Sequence, residues 1–282
     1  VDVGQPFVLR FTRMESIGLI AGSGRLPVLF AEAAREKGLA VHAVGFEGEA
    51  DQSALEPLVA TLDWVKVGQA AHIVEAFRRR GVTKAVMAGG IGRIRSLTQA
   101  RPDLGMLKIA SKVRSMRDDE LLRAAAAYFE EQGVAIVAAT DYVPQVLARE
   151  GHLAGPKLSA QQQRDVEVGR EVAFCLGRAD VGQTVVVKDG VVLAVEAVEG
   201  TDECIRRAGT YGGPGSVVVK RCKPGQDLRF DLPTAGSVTL EVMREAGARV
   251  LAVEAGRTVL LDGALLFKWA ERLGLSVVGF KP

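Results

Sequence analysis

Apolar positions recur along this chain in two rhythms, short continuous runs and helical repeats, and the two alternate. The run Ile17 to Ala21 predicts a strand that ends in Gly22-Ser23-Gly24. A helix follows, with Pro27 in its first turn, where a missing N–H costs little, and Gly38 closing it. Ala40 to Gly45 predicts the next strand, Gln69 to Arg80 a helix stopped by Gly81, and Lys84 to Ala88 a strand running into Gly89-Gly90. Helical spacing returns from Met106 to Gln132, with a break near Arg117, before the apolar run Val134 to Ala139. Such β-α-β-α-β order predicts a Rossmann-like, mostly parallel sheet with helices on both faces.

Residues 142–160 carry Pro144, Gly151, Gly155 and Pro156 without a period, which predicts a linker over 143–160 between domains at 14–142 and 161–282. The second domain opens with a helix, Gln161 to Leu176. Runs at Gln183 to Val187 and Val191 to Glu196 flank Asp189-Gly190, a hairpin signal. Helices are expected at Thr201 to Ala208, Ala235 to Ala246 and Gly263 to Leu273. Strands are expected at Ser216 to Lys220, Ala248 to Val253 and Ser276 to Phe280, with an extended segment between Lys220 and Asp231. The fold class is therefore α/β in two domains, the second mixed and carrying a hairpin. Met14 closely precedes the first strand and reads as the natural start, with residues 1–13 an extension.

Composition narrows the function. About half the 282 residues are hydrophobic, and the net charge is only +2, which offers no field for nucleic acid. Cys175, Cys204 and Cys222 form no metal spacing and fit a reducing compartment. No apolar run spans a bilayer, and no signal-peptide core precedes Ile17. His42, His72 and His152 are scattered. Neither a serine-hydrolase elbow nor a Walker A loop is present.

Several motifs remain as candidates for chemistry. Gly22, Ser23 and Gly24 at a strand-to-helix turn can approach a phosphate, or simply make a tight turn; Pro27 occupies the third glycine's place in a dinucleotide fingerprint. Gly89 and Gly90 end another strand, with Arg93 following, and ligands gather at such strand ends. Asp118 and Asp119 are either helix-start carboxylates or contacts for a metal or a hydroxyl. Gly200, Thr201 and Asp202 make a third strand-to-helix turn, where Thr201 can cap the helix. From Asp227 to Asp231, charged and apolar residues alternate. An extended chain would put Asp227, Arg229 and Asp231 on one face and bury Leu228, Phe230 and Leu232 on the other. Lys220 and Lys223 add cations nearby. Cations with carboxylates suit diphosphate hydrolysis, where developing phosphoryl charge must be stabilised and water oriented.

Five segments, taken in order, resemble a known family. They are Ile17 to Gly24 with Leu26-Pro27, Ala88-Gly89-Gly90 with Arg93, Arg117 to Arg123, Val195 to Asp202, and Lys223-Pro224 with Gln226, Arg229, Asp231, Leu232, Pro233, Thr234 and Gly236. The chain from Met14 onward resembles the UDP-2,3-diacylglucosamine pyrophosphatases of lipid A synthesis that are unrelated to the metallophosphoesterase-fold enzymes for that step. The resemblance implies a two-domain, magnesium-dependent hydrolase that releases UMP and 2,3-diacylglucosamine 1-phosphate from substrate held between the domains. It places the essential aspartate on Asp231 and a secondary acidic role on Asp227, both as candidate metal ligands. Arg229, Lys223 and Lys220 are expected to neutralise phosphoryl charge, while Gln226 and Thr234 join the substrate-binding set. The lipid substrate implies a cytoplasmic protein in peripheral contact with the inner membrane, and a homodimer is expected only from general frequency. Two rival readings of the sequence stay open: a Rossmann-type sugar-nucleotide or NAD-binding enzyme, and a non-catalytic UDP-lipid sensor.

Overall fold

The computed structural model describes residues 15–91, 100–113 and 118–282, the side chains of 118 and 119 excepted. Residues 1–14 and Arg93 lie outside the described residues, as does the helix break expected near Arg117. The described chain divides into two compact units. One holds the residues up to Val113 together with Ala124–Val137; the other holds Ala138–Pro282 with the segment ending at Arg123.

In the first unit the apolar runs become five parallel strands in the order β3-β2-β1-β4-β5: β1 (Ser16–Ala21), β2 (Ala40–Phe46), β3 (Thr61–Val65), β4 (Lys84–Ala88) and β5 (Ala135–Val137). Leu19, Val41, Val44 and Val86 are buried to within 1%. Continuous rather than alternating burial is what a parallel sheet demands. Helices α1 (Leu26–Glu36) and α3 (Ala70–Arg79) present Phe30 and Phe77 to the core, both fully buried, so truncating either to Ala would cost about 3–5 kcal/mol. Helix α2 (Gln52–Leu55) is a single turn; α4 (Leu104–Ser111) follows, and α5 (Asp118–Glu131) belongs to this unit from Ala124 onward. Strand β3 has no counterpart among the expected elements. It lies at the sheet edge, half-buried along most of its length, so it has no apolar run to announce it.

Asp103 ties two of these helices together. Its Oδ1 accepts from Met106 N at 2.9 Å, capping α4, and its Oδ2 accepts from Ala71 N at 2.8 Å in the first turn of α3. One carboxylate thus satisfies orphan donors at two helix starts, where the helix dipoles also favour it.

The second unit holds a six-stranded mixed sheet in the order β6-β13-β11-β9-β7-β8: β6 (Gly151–Ala154), β7 (Thr184–Lys188), β8 (Val191–Val195), β9 (Val217–Lys220), β11 (Val250–Glu254) and β13 (Ser276–Phe280). Strands β9, β11 and β13 are parallel, while β6, β7 and β8 pair antiparallel. Strands β10 (Thr234–Ala235) and β12 (Val259–Leu260) form a small parallel ladder of their own. The expected hairpin is β7-β8. Asp189 and Gly190 both take positive φ, 50° and 80°, as a two-residue hairpin turn requires. Helices α6 (Ala160–Arg178), α7 (Thr201–Gly212), α8 (Ser237–Glu245) and α9 (Gly263–Leu273) match the expected positions to within a few residues.

Two expectations need correction. The pattern over 143–160 predicts a linker, but Gly151–Ala154 pairs with β13, so part of that stretch belongs to the sheet. Four residues without alternation, opened by a glycine, give no strand signal. The segment from Asp227 to Asp231 is a turn and not an extended strand. Phe230 N and Asp231 N both donate to Asp227 O, at 3.3 and 3.0 Å, and Arg229 N donates to Asp227 Oδ1 at 3.1 Å. An aspartate that bonds its own following backbone offers an alternative to strand pairing. Leu228, expected to bury, is exposed.

Candidate functional site

In the first unit two glycine turns meet at the topological switch point, where β1 has β2 on one side and β4 on the other. Gly22 N donates to Ala88 O at 2.8 Å, and Ser23 and Gly90 exchange backbone hydrogen bonds at 2.7 and 3.0 Å. Ser23 Oγ donates to Gly90 O at 3.0 Å. A Cβ on Gly22 would lie 2.3 Å from Gly90 O, and one on Gly89 would lie 2.5 Å from Ser23 O. Glycine is thus needed at both places to let two backbones touch. The strand-end crevice is where open parallel sheets take ligands. Gly24 follows at φ 93°, with open space where a side chain would point.

In the second unit the polar side chains collect at the carboxyl ends of β9 and β11. Lys220 ends β9 and is 5% exposed. Its ammonium donates to Thr201 Oγ1 at 2.9 Å and to the Thr234 carbonyl at 3.0 Å. Thr201 Oγ1 donates in turn to Glu196 Oε1 at 3.0 Å and lies 3.3 Å from Thr184 Oγ1. Thr201 therefore does not cap α7. Gly200, at φ 84°, is the N-cap residue, and no side chain closes that helix start. Burial pushes the Lys220 ammonium below its ordinary pKa, while the carboxylates of Glu196 and Asp202 oppose that fall.

The loop after β9 is anchored by a fully buried carboxylate. Glu254 Oε2 accepts from Cys222 N at 2.9 Å, with Arg221 at 3.7 Å and Arg257 at 3.6 Å completing its charge balance. Gln226 Oε1 accepts from Lys223 N at 2.9 Å and from the Cys222 thiol at 3.1 Å, closing the turn around Pro224-Gly225. Lys223 Nζ pairs with Asp180 at 2.8 Å. A cavity of about 220 Å³ opens here, lined by Glu120, Gly177, Arg178, Asp180, Lys223 and Gln226 among others. Arg123 Nη2 donates to Gly225 O at 2.5 Å.

Of the five expected phosphate-chemistry residues, Asp227 and Arg229 bind each other. Arg229 Nε and Nη2 reach the Asp227 carboxylate at 3.0 and 2.8 Å, which holds that carboxyl below its ordinary pKa. Asp231 is half-buried at the end of the same turn, and its charge reaches Cys222. Thr234 offers its carbonyl to Lys220, while its hydroxyl donates to Leu232 O at 3.2 Å. The side chains of Asp118 and Asp119 are not among those described. Sequence pattern does not mark Glu196, Asp180 or Glu254 as site residues. Of these only Glu196 sits inside a motif, Val195 to Asp202, and its burial cannot be read there.

Magnesium typically takes one or two carboxylates and completes its shell with water and substrate phosphate. Among the described residues no group of three or more His, Cys, Asp or Glu side chains could hold a metal by itself. Asp227 does not suit a cation, since a guanidinium straddles its carboxylate. Asp231, half-buried at the end of the turn, keeps the chemistry of a magnesium ligand: a carboxylate oxygen is the donor such a hard cation takes.

Fold and site define a class: a two-unit α/β protein whose glycine turns and buried polar clusters sit at the carboxyl ends of parallel strands. The family model described as the LpxI N-terminal domain matches residues 16–146, and that of the LpxI C-terminal domain matches residues 149–278. A curated relative from Caulobacter vibrioides, named UDP-2,3-diacylglucosamine pyrophosphatase LpxI, is 34% identical over 280 residues, covering 95% of this chain and 99% of its own. The chain belongs to the LpxI family, and its class is that of a hydrolase acting on a diphosphate. Likeness to solved structures is slight. The Bordetella bronchiseptica enzyme WbmG in complex with NAD and UDP matches at 19% identity, 45% of this chain, 37% of that one and a TM-score of 0.29. The structure of gox2253 matches at 12% identity, 93% of this chain, 84% of that one and a TM-score of 0.31.

Proposed function

We propose that this chain hydrolyses the diphosphate of UDP-2,3-diacylglucosamine in lipid A biosynthesis, giving UMP and 2,3-diacylglucosamine 1-phosphate. Water adds to one phosphorus, the bridging P–O bond breaks, and the bridging oxygen leaves on the other phosphate. The observation that carries this reading is the family match through both units, joined to a buried ammonium and an aspartate-bearing turn at one strand end. In this reading Lys220, Lys223 and Arg229 face the phosphoryl charge, which suits donors held in place before reaction. Asp231 orients the attacking water or holds magnesium, and magnesium when bound would neutralise phosphoryl oxygens. Gly22, Ser23, Gly89 and Gly90 bind the nucleotide portion at the switch point, and Gly200, Thr201 and Asp202 serve at the start of α7.

No described helix is long and apolar enough to cross a membrane. The diacylated substrate itself is what supports peripheral contact with the cytoplasmic face of the inner membrane in this reading. The test is a steady-state assay on the purified chain with magnesium, with chelator, and with Asp231→Ala. Turnover that needs magnesium and is lost in a folded variant supports these roles. Equal turnover in all three removes both the metal and Asp231 from the reaction.

A further inference from the structure

We propose that Glu196 is a positioning residue of this site, acting through Thr201 on Lys220. The inference rests on the functional reading above only in calling the place a site; the coupling itself is in the geometry. Glu196 follows β8 and is more than nine-tenths buried. Its Oε1 accepts from Thr201 Oγ1 at 3.0 Å, and its Oε2 is buried with no hydrogen-bond donor among the described residues. A carboxylate in that position is costly to bury unless a cation balances it. The nearby cation that is itself buried is Lys220, which touches the same hydroxyl at 2.9 Å. Thr201 thus accepts from the ammonium and donates to the carboxylate, a short relay that fixes the direction of its O–H.

The relay has a mechanical consequence. Lys220 also holds the Thr234 carbonyl at 3.0 Å, three residues after Asp231. Glu196, Thr201 and Lys220 therefore pin the exit of the aspartate-bearing turn to the start of α7. The charged groups that act on Lys220 are Glu196, at the end of the hairpin, and Asp202, in the first turn of α7; Thr184 on β7 and Thr201 contribute only hydroxyls. Removing the Glu196 charge leaves burial opposed by Asp202 alone, so Lys220 loses its proton at lower pH.

The experiment uses full-length Glu196→Gln, which keeps shape and an acceptor while deleting the charge, with Glu196→Asp as the conservative partner. Two readouts are taken after thermal melts confirm folding. The first is the titration of the Lys220 ammonium by lysine-selective ¹⁵N NMR, which needs no substrate. The expected result is a midpoint lower by about one pH unit or more in Glu196→Gln, largely restored in Glu196→Asp. The second is the pH profile of kcat/KM on UDP-2,3-diacylglucosamine. Its alkaline limb should move to lower pH by a similar amount, with kcat reduced about tenfold and KM changed less. An unchanged Lys220 titration in folded Glu196→Gln overturns the proposal whatever the activity. A shifted titration in a chain that leaves the substrate intact upholds the coupling and sinks the functional reading instead.

Discussion

Replacing Gly22 by Ala isolates the contact between the two glycine turns. Gly22 has an ordinary φ, so the added methyl brings no backbone strain of its own. It would lie 2.3 Å from Gly90 O and 3.0 Å from the carbonyl carbons of Gly89 and Gly90. Those are backbone atoms and cannot rotate aside. Ordinary contact requires the β4 turn to retreat by roughly 1 Å. That retreat loosens the bonds from Ser23 N and Ser23 Oγ to Gly90 O and from Gly90 N to Ser23 O. At about 1 kcal/mol net for each, complete loss would cost about 3 kcal/mol, and overpacking alone about 1–3 kcal/mol. The expected destabilisation is therefore about 2–3 kcal/mol, confined to the first unit. Gly24→Ala is the control: its methyl meets nothing, but φ is 93°, so only a conformational cost of about 1 kcal/mol is expected. Amide hydrogen exchange at Ser23 and Gly90, followed alongside calorimetry, reads the local effect separately from the second unit. UDP affinity should fall in Gly22→Ala. Full protection of both amides in Gly22→Ala would refute the close-approach argument.

Asp165 in α6 is buried and accepts from Gly190 N at 2.7 Å and Asp189 N at 3.1 Å, so Asp165→Ala should lower the second unit's stability by about 2 kcal/mol in urea melts and fray the hairpin turn. Burial raises the Asp103 carboxyl, but donors from Met106, His72 and Ala71 outweigh it and hold the folded pKa below the unfolded one. The unfolded chain then binds more protons in that range, so this stabilisation is complete above the unfolded pKa and is lost as pH falls through the folded one. Urea midpoints of wild type and Asp103→Asn should differ at pH 7 and converge toward pH 3; a constant gap would contradict the linkage. Burial pushes the Cys204 and Cys222 thiols up to about 12, whereas Cys175 is exposed. Mass spectrometry after iodoacetamide treatment at pH 8 should find Cys175 alkylated and the other two intact.

Period and punctuation make most of the fold readable. Apolar runs bounded by glycine announce β1, β2, β4, β7, β8 and β9, and Asp189-Gly190 announces its hairpin because few residues but these accept φ > 0. Strands β3 and β6 escape because edge strands are half-wet and carry little pattern. The turn at Asp227 to Asp231 shows the limit of alternation as evidence, since a five-residue window of charged and apolar residues fits a strand and an aspartate-nucleated turn equally well. Burial of isolated charges is the other hidden quantity. Glu196, Lys220 and Glu254 are surface residues by type, and only the packing of β9 and β11 shows them enclosed. The resemblance makes Asp227 a candidate for magnesium, and alternation puts Arg229 on its face, but that the guanidinium closes on the Asp227 carboxylate itself depends on the turn, which alternation does not show.

The most direct measurement is mass-spectrometric identification of what the purified wild-type chain makes from UDP-2,3-diacylglucosamine. Stoichiometric UMP and 2,3-diacylglucosamine 1-phosphate are expected as substrate disappears. Recovery of intact substrate, or release of UDP with the unphosphorylated sugar lipid, would contradict cleavage at the diphosphate.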